Sequence, residues 1–545
     1  MNGAHALLRS LVDAGVDVCF TNPGTSELHF VAALDAVPDM RGVLGLFEGV
    51  VTGAADGFAR MRGGPAVALL HLGPGLGNGL ANLHNARRAK VPVVVIVGDH
   101  ARSHRGLQAP LESDIATVAR NVSTWIRTSR SPQDIGRDAV EAVAAAAGPP
   151  GQVATLILPA DVSWSDGGQV AAPIAPSGRT AVPVDVMDSI AGILRADVPA
   201  LLLLGGAVLA NADALDAADR ICAATGARML AEVFPTRLVR GAGVTPVERL
   251  AYFSDVAATQ LHGLRHLVLV EAAAPVAFFA QPGQPSVLTP AGCVVHTLAG
   301  PADDGAMALH ALADLLDAGT SGRPRSAPQV QTDRPTGDLD ATAVARAVGA
   351  LLPEGAIVSD EAITSGLPLP AATAGAPPHD WLTITGGAIG QGLPVATGAA
   401  VASPDRKVLA LQADGSAMYT LQALWTQARE GLDVTTVIYN NASYDILKIE
   451  LERLGEGERQ RAGGRGSEGE DERQRAGGRG SEGQGPRARQ LFDLGRPHLD
   501  FVALARGMGV PATRAETAEQ FTRQLGEALA EPGPALIDAI VPPAV

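Results

Sequence analysis

Short apolar runs alternate along this chain with segments of helical spacing. Runs at residues 66–70, 91–97 and 407–413 have the length of a strand, and the segments between such runs carry apolar residues at intervals of three and four. Strands that alternate with helices are typical of βαβ units, whose strands lie parallel in one sheet. The pattern therefore predicts an α/β fold with mainly parallel sheets flanked by helices.

Two stretches without apolar periodicity divide the chain into three blocks. Residues 165–183 are rich in Gly, Pro and Ser, and residues 319–337 are polar and rich in Pro, as linkers are. The blocks at 1–165, 182–318 and 338–545 are each long enough for one α/β domain. We expect three domains, of which the middle one contains a smaller Rossmann-like sheet.

A charged repeat interrupts the third block. Residues 458–470 recur almost unchanged at 472–484, with many Gly and no large apolar side chain. A segment of this composition cannot offset its ordering entropy by burial. We interpret residues 457–485 as a duplicated, disordered surface loop, with a binding loop of mixed charge as the alternative.

Composition disfavours several classes of protein. The apolar runs are far shorter than the roughly 20 residues of a membrane helix, and the N-terminus lacks the order of a signal peptide. Cys19, Cys222 and Cys293 are far apart, so neither a disulfide framework nor a cysteine metal site is expected. A formal net charge of −15 disfavours nucleic acid and anionic membranes as partners. These features predict a cytoplasmic protein.

The third block contains a βαβ unit with polar residues where its strands end. A strand at 407–414 is followed by a helical segment at 416–430 and by a second strand at 434–439. Asp414 and Asn441 therefore lie at the carboxyl ends of parallel strands, where open α/β sheets bind ligands. Their oxygen atoms are donors that suit Mg²⁺. The alternative is a plain βαβ unit in which these residues have no such role.

Three strand ends in the first block also deliver polar residues. The strand at 16–20 runs into TNPGTSE, the strand at 43–47 ends at Glu48, and the strand at 66–70 ends at His71 before a Gly-rich turn. Read singly, Glu48 is most often an exposed first-turn carboxylate and His71 a structural residue. In a parallel sheet these ends collect on one edge, which favours a shared site.

Both sets of residues resemble one family. The sequence DGS at 414–416, followed 27 residues after its Asp by Asn441, is similar to the thiamine diphosphate (ThDP) motif of the acetohydroxyacid synthase and benzoylformate decarboxylase superfamily. TNPGTSE (21–27), FEGVVTGAADGFAR (47–60) and HLGPGLGN (71–78) are similar to its pyrimidine-binding domain. The closest overall resemblance is to actinobacterial proteins called acetolactate synthase large subunits.

The resemblance implies a ThDP- and Mg²⁺-dependent enzyme. The first block would be its pyrimidine-binding domain and the third its diphosphate-binding domain. Asp414, Asn441 and the carbonyl of Ser443 would hold the metal, and the N–H groups of Gly415 and Ser416 at the helix start could meet phosphate oxygens. The motif departs from the family's Gly-Asp-Gly in having Ala for its first Gly, a methyl group that we expect the turn to tolerate.

The resemblance also assigns residues to the organic part of the cofactor and to the substrate. Glu48 would hydrogen-bond to N1′ of the aminopyrimidine, and the carbonyl of Gly387 would accept from its 4′-amino group. Ile389 would support the bent conformation of the cofactor. His71 and Thr25 match the positions with which benzoylformate decarboxylases handle the substrate carboxylate and protons.

The implied reaction is decarboxylation of a 2-oxo acid followed by ligation to a second carbonyl, as in an acetolactate synthase. Simple decarboxylation of the benzoylformate type is one alternative, and a non-catalytic regulatory or structural relative is another. The second active-site His of the decarboxylases is replaced here by Phe278, Phe279 and Ala280. The Phe-Gln pair of the synthases corresponds to residues 109–112, which lack it. The sequence therefore gives the reaction class but not the substrate side chain.

Two further expectations concern FAD and assembly. Some members bind FAD in the middle domain, but Gly205-Gly206 after a strand at 201–204 is not a GxGxxG pattern, so FAD is not favoured. In the family, the two halves of each site come from different subunits. We therefore expect a homodimer or homotetramer with active sites at the subunit interface, acting on a small 2-oxo acid.

Overall fold

The computed structural model describes residues 1–281, 284–319, 326–330, 332–464 and 486–544, and it contains three sheets. Strand pairs within the sheets are parallel, apart from one antiparallel pair at the edge of the third sheet. Helices flank each sheet. The predicted α/β class with three mainly parallel sheets is confirmed.

The first sheet has six strands in the order β2-β1-β3-β4-β6-β5. Its strands are β1 (Val18–Thr21), β2 (Arg41–Leu44), β3 (Ala66–His71), β4 (Val93–Asp99), β5 (Trp125–Thr128) and β6 (Val153–Pro159). Its helices are α1 (Gly3–Asp13), α2 (Leu28–Ala33), α3 (Glu48–Arg62), α4 (Leu72–Ala89), α5 (Ile115–Ala119), α6 (Ile135–Ala147) and α7 (Ala160–Trp164). The central strands β3, β4 and β6 are buried along nearly their whole length, as their apolar runs predict.

The middle sheet has four strands in the order β11-β10-β7-β8. The strands of this part of the chain are β7 (Ala200–Leu204), β8 (Arg228–Ala231), β9 (Leu238–Arg240), β10 (His266–Val270) and β11 (Val294–Ala299), and its helices are α8 (Val184–Leu194), α9 (Ala212–Thr225), α10 (Ser254–Leu261) and α11 (Gly305–Leu315). Strand β9 does not join this sheet. It pairs antiparallel with a strand of the third sheet and covers an edge that would otherwise expose unpaired backbone groups.

The third sheet has seven strands, including β9, in the order β16-β17-β15-β14-β12-β13-β9. Its own strands are β12 (Ile357–Glu361), β13 (His379–Thr383), β14 (Val408–Ala413), β15 (Val434–Asn440), β16 (Ala512–Ala515) and β17 (Ala535–Ile540). Its helices are α12 (Ala341–Leu351), α13 (Leu369–Ala372), α14 (Gly392–Ala402), α15 (Asp414–Thr420), α16 (Ala423–Glu430), α17 (Asp445–Gly464), α18 (Pro486–Gln490), α19 (Phe501–Gly507) and α20 (Ala518–Ala530).

The βαβ unit of the third block differs in detail from its prediction. Two helices, α15 and α16, replace the single expected helix, and the first of them begins at Asp414 itself. Gly431 ends α16 in a left-handed conformation with φ of 62°, so the predicted C-cap is confirmed. Because Asp414 is the first helical residue, its carboxylate lies at the helix start.

The charged repeat also differs from its prediction. Helix α17 continues to Gly464, so residues 457–464 are helical where we expected the disordered loop to begin. Glu, Arg, Gln and Ala are good helix formers, and they extend a helix that has already been nucleated upstream. The rest of the expected loop, residues 465–485, lies outside the described residues.

Helices α3 and α14 join the first and third parts of the chain. A Cβ on Gly57 would overlap the carbonyl of Val395, and one on Gly398 would overlap that of Ala54, so this close approach depends on glycine. One apolar core contains side chains of both the first and the third sheets. None of the described helices is long and apolar enough to cross a membrane.

A buried ion pair lies at this junction. Arg60 and Asp56, both on α3, have fully buried side chains, and Arg60 Nε donates to Asp56 Oδ1 at 2.7 Å. Arg60 also donates to the carbonyls of Thr236 at 3.1 Å and Thr383 at 2.8 Å, which belong to the other two blocks. Gln391, just before α14, donates to Asp56 at 2.6 Å. These bonds satisfy the buried charges and hold all three blocks together at the start of α14.

Candidate active site

Glu48 is the first residue of α3 and is only 7 % exposed. Asn78 on α4 donates from Nδ2 to Glu48 Oε2 at 3.0 Å. The other carboxyl oxygen, Oε1, lies against Gly75, where an added Cβ would approach it to 3.3 Å. A carboxylate at this position is favoured by the positive end of the helix dipole. The fold therefore places a buried carboxylate between the starts of α3 and α4.

His71 ends β3 and is oriented by a buried acid. Its Nδ1 lies 2.8 Å from Glu27 Oε2, and Glu27 is fully buried. The amide of Gly24 donates to the same carboxyl oxygen at 2.8 Å. These contacts engage Nδ1 of the imidazole and leave Nε2 able to exchange a proton with a ligand.

Ser26, rather than Thr25, contacts the imidazole. Ser26 Oγ lies 3.1 Å from His71 Nδ1 and donates to Glu27, whereas Thr25 is exposed. The sequence interpretation assigned Thr25 to the substrate, which stays a prediction, and it did not name Ser26 or Glu27. One signal was present, because a Glu three residues after Gly24 at a helix start can return its carboxylate to the backbone amide.

Asp414 joins the ends of β14 and β15. Its Oδ1 accepts from the amide of Gly415 at 2.7 Å and its Oδ2 from the amide of Ala442 at 2.7 Å. Burial raises the pKa of this carboxyl to about 6. Among the described residues, no ion pair to Asp414 is present to offset that burial. A cation bound here would supply the missing compensation.

Asn441 and Ser443 complete the oxygen donors of this loop. Ala442 between them has φ of 52°, a left-handed turn that folds the loop back onto Asp414. Asn441 Oδ1 accepts from the amide of Ser443 at 3.0 Å, and its Nδ2 donates to Asp445 at 3.0 Å. Ser443 Oγ is buried without a hydrogen-bond partner. The carboxylate of Asp414, the amide oxygen of Asn441 and the carbonyl of Ser443 form a donor set that fits a hard divalent cation.

The glycine-rich loop at 386–390 contains two left-handed residues. Gly387 has φ of 75° and Gly390 has φ of 93°, conformations that favour glycine. A Cβ on Gly387 would also overlap the ring of Phe278 from the middle part of the chain. Ile389, between the two glycines, is half-buried.

Glu361 binds backbone amides at and just after the end of this loop. Its carboxyl group, at the end of β12, accepts from the amides of Gly390 at 2.6 Å and Gly392. Burial raises the pKa of Glu361 to about 7. Sequence reasoning missed this residue, although its place at a strand end beside Asp360 gave the same kind of signal as Glu48.

Two asparagines of helix α4 form hydrogen bonds with the loop. Asn82 donates from Nδ2 to the carbonyls of Gly49 at 2.7 Å and Gly390 at 3.2 Å. Asn85 donates to the carbonyl of Ala388 at 2.8 Å and accepts from its amide at 3.2 Å. Within one chain, these contacts bring the loop against the start of α3. No hydrogen bond or ion pair between described residues joins Glu48 or His71 to the loop around Asp414 and Asn441.

Two carboxylates fill the glycine turn of the middle sheet. Glu232 accepts from the amide of Gly206 at 3.0 Å, and Glu271 accepts from the amides of Ala207 at 2.7 Å and Gly305 at 3.2 Å. These are the N–H groups that a dinucleotide would need for its phosphates. They are not free for that purpose while the two carboxylates are in place.

Family comparisons match the two parts of the chain that contain Glu48 and Asp414. Residues 1–119 match the thiamine pyrophosphate enzyme N-terminal TPP binding domain, and residues 370–539 match the corresponding C-terminal TPP binding domain. Thiamine pyrophosphate is another name for thiamine diphosphate. The chain belongs to the family of thiamine-diphosphate-dependent enzymes, and the resemblance seen in the sequence is confirmed.

Within this family the chain is similar to both acetolactate synthases and decarboxylases. It is 59 % identical to a Mycobacterium tuberculosis protein named "Putative acetolactate synthase large subunit IlvX", over 99 % of each chain. It is 30 % identical to the benzoylformate decarboxylase of Pseudomonas aeruginosa, over 96 % of each chain. The solved structure of the Rhodococcus jostii RHA1 thiamine diphosphate-dependent 4-hydroxybenzoylformate decarboxylase superposes with a TM-score of 0.81, at 25 % identity and 99 % coverage of both chains.

Proposed function

We propose that this enzyme decarboxylates a 2-oxo acid with the help of ThDP and Mg²⁺ and joins the product to a second carbonyl compound, as an acetolactate synthase does. The observation that carries the proposal is a pair of strand-end sites in the two TPP-binding domains. One is the buried carboxylate of Glu48, and the other is the oxygen-lined loop of Asp414 and Asn441. The similarity to the M. tuberculosis protein supports the ligation step.

The diphosphate half would be held through Mg²⁺. Asp414, Asn441 and the carbonyl of Ser443 would hold the cation, which would in turn bind the diphosphate. Gly415 and Ser416, in the first turn of α15, would lie beside the diphosphate, where the amide of Ser416 could meet a phosphate oxygen while the amide of Gly415 donates to Asp414. Burial disfavours the charged form of the Asp414 carboxyl, and a bound cation would offset that cost by stabilising the carboxylate.

The pyrimidine half would be held and activated by residues of the first and third blocks. When bound, ThDP supplies the nucleophilic carbon and accepts the electron pair released with CO₂. Glu48 would hold a proton at N1′ of the aminopyrimidine, the carbonyl of Gly387 would accept from the 4′-amino group, and Ile389 would support the bent conformation. Glu27 orients His71, whose Nε2 is then available to move a proton to or from the substrate.

Simple decarboxylation is the second candidate, and a specific contact favours it. The group of Glu27, Ser26 and His71 is hydrogen-bonded and partly exposed, so it can deliver a proton to the carbon that loses CO₂. Such a protonation would release an aldehyde instead of a ligated product. The similarity to benzoylformate decarboxylase supports this candidate.

Product analysis on a panel of 2-oxo acids separates these candidates. Protein loaded with ThDP and Mg²⁺ is given pyruvate, 2-oxobutyrate, benzoylformate or phosphonopyruvate, and CO₂, aldehyde and hydroxy-ketone products are measured together. We expect CO₂ release with a ligated product. CO₂ release with an aldehyde and no ligated product would favour the simple decarboxylase. Cofactor binding without turnover on any substrate would favour a non-catalytic relative.

The proposal extends to assembly as a homodimer or homotetramer with active sites at the subunit interface. Met418 and Tyr419 on α15 are 41 % and 53 % exposed, directly after the residues proposed to hold the diphosphate. Large apolar side chains in such a place favour a covering partner surface. A second copy of this chain would supply the pyrimidine half of the site.

Mixing two inactive variants should restore activity if the site is shared. Glu48→Gln and Asp414→Ala proteins are dissociated together and allowed to reassemble. A mixed dimer carries one intact site and one doubly altered site, so about a quarter of the parental activity should return under random pairing. Each variant refolded alone is the control. If subunit exchange is demonstrated and no activity returns, the two halves belong to the same chain.

A further inference from the structure

Asp445 is a buried acid beside the proposed cation site. It is the first residue of α17 and is only 2 % exposed. Its Oδ2 accepts from Nδ2 of Asn441 at 3.0 Å. Asn441 is one of the residues that we assign to the cation, and Asp445 is not. Because a buried carboxylate costs free energy unless it is paired or hydrogen-bonded, its partners indicate what it does.

The contact with Asp445 decides which way the side-chain amide of Asn441 faces. An ionised carboxylate only accepts hydrogen bonds, so the NH₂ group of Asn441 lies on its side. The amide oxygen Oδ1 then lies on the other side, where it accepts from the backbone amide of Ser443 at 3.0 Å. In the reverse orientation both contacts would be repulsive, oxygen against oxygen and N–H against N–H. Asp445 therefore keeps the oxygen, and not the NH₂ group, towards Ser443.

This oxygen is the atom of Asn441 that can bind a cation. A carbonyl oxygen has two lone pairs, so Oδ1 can accept from Ser443 and still bind a cation. Asp414 is bonded to the same loop through the amide of Ala442 at 2.7 Å, so the two proposed ligands share one short turn. An NH₂ group in place of the oxygen would repel a cation. The orientation of the Asn441 amide thus decides whether the set of oxygen donors is complete.

Residues 541–544, which follow β17, hold Asp445 in place. The amide of Ala544 donates to Oδ2 of Asp445 at 2.6 Å, so this oxygen accepts from Asn441 and Ala544 together. The amide of Val541 donates to the carbonyl of Asn440 at 3.2 Å and brings this segment against the end of β15. The carboxylate is therefore fixed from two sides, by its place on α17 and by a bond from this segment.

The charge of Asp445 is partly compensated by Lys448, one turn further along α17. Its Nζ lies 3.3 Å from Oδ1 of Asp445, the oxygen that Asn441 does not use. A carboxylate with a positive charge beside it attracts a further cation less strongly than an unpaired one. Asp445 should therefore act on a cation mainly through the orientation of Asn441 and less through its own charge.

We propose that Asp445 is a positioning residue for Mg²⁺, which turns the amide oxygen of Asn441 towards the cation that would bridge the protein and the diphosphate. The inference rests on the proposed function, because the cation site is part of it. Side chains that bind metals are commonly oriented by such partners, and loss of the partner typically weakens metal binding by about 10- to 100-fold. In this role Asp445 acts through Asn441 and is not a ligand itself.

Two substitutions separate the orientation of Asn441 from the charge of Asp445. Asp445→Asn removes the charge but keeps one oxygen, which can replace Oδ2 and accept from Asn441 and Ala544. Asp445→Ala removes this acceptor as well. Electron paramagnetic resonance measures the binding of Mn²⁺, a paramagnetic substitute for Mg²⁺, to each protein in excess ThDP, with Mg²⁺ as the competitor. We expect Asp445→Ala to weaken the binding of both cations about 10-fold or more and Asp445→Asn to stay within about 3-fold of the parent.

A matched control and a test of folding accompany these variants. Glu452→Gln makes the same change of charge at an exposed position of α17 and should bind Mn²⁺ as the parent does. The melting temperature without ThDP and cation shows whether each variant is folded. If Asp445→Ala does not fold, Asp445→Leu takes its place, because leucine has nearly the shape of aspartate and no acceptor.

The outcomes distinguish failure of this inference from failure of the proposed function. Parental Mn²⁺ affinity in folded Asp445→Ala or Asp445→Leu would overturn the positioning role and leave the cation site and the proposed function intact. Equal losses in Asp445→Asn and Asp445→Ala would also overturn it, since the charge of Asp445 would then matter and not the orientation of Asn441. A parent protein that binds ThDP without any cation would refute the metal assignment and this inference with it.

Discussion

Replacing Glu48 with Gln should lower turnover on any accepted 2-oxo acid by at least about 100-fold, the lower range for losing an acid–base group. The carboxylate is buried at the start of α3, where Asn78 holds one of its oxygens. An amide has nearly the same shape and can still accept from Asn78. It cannot hold the negative charge that stabilises a protonated N1′. The loss should therefore appear in kcat, while ThDP binding largely survives.

Steady-state kinetics and ThDP binding, measured on the same preparation, test this role. Glu141→Gln is a suitable control, because Glu141 on α6 pairs with Arg127 and has no part in the proposed site. The control should keep parental turnover. Near-parental turnover of Glu48→Gln would remove Glu48 from the mechanism, and loss of ThDP binding would mean that its role is structural.

The fold class and both strand-end sites were predictable from the sequence because they depend on local pattern. Apolar runs of strand length, separated by helical spacing, define parallel strands, and the residues just after them must lie on one sheet edge. His71, Asp414 and Asn441 were found in this way, and the structure places each at or directly after the end of its strand. Glu48 was found from a strand predicted at 43–47, but β2 ends at Leu44, and three residues separate it from Glu48, the first residue of α3.

Contacts between distant residues were not predictable. Glu361 reaches Gly390 across 29 residues, and Phe278 meets Gly387 only because the middle part of the chain folds over the third sheet. Ser26 was not named because motif alignment does not reveal which side chains beside Thr25 contact His71. The pairing of β9 with the third sheet, and not with the middle one, likewise depends on tertiary packing. Local periodicity contains no information about such pairings.

The middle part of the chain contains contacts that argue against FAD binding, which the sequence did not favour but left open. Gly206, in the Gly205-Gly206 turn after β7, has a left-handed conformation with φ of 55°. Glu232 and Glu271 already accept from the amides around it. A dinucleotide phosphate would have to displace two carboxylates, which are negatively charged as the phosphate is. These contacts favour a structural role for this turn over FAD binding.

Asp414→Ala should abolish the stabilisation of this protein by ThDP and Mg²⁺. At a ligand concentration of about 100 times Kd, the parent protein should gain about 2.7 kcal/mol. Without the Asp414 carboxylate, the cation loses its charged ligand and the diphosphate loses its bridge to the protein. The measurement is a thermal shift with and without ThDP, Mg²⁺ and a chelator. The Glu48→Gln protein serves as the reference that should keep most of the shift.

A companion variant separates metal binding from folding. The alanine variant also loses the acceptor for the amides of Gly415 and Ala442, which could itself loosen the loop. Asp414→Asn keeps a side chain of the same shape and an oxygen for one of these amides, but it removes the negative charge. We expect the Asn variant to fold with nearly the parental melting temperature and to lose most of the ThDP-dependent shift, because the carboxylate charge is what compensates the cation. If either variant binds ThDP as well as the parent does in the presence of chelator, the metal assignment to Asp414 is wrong.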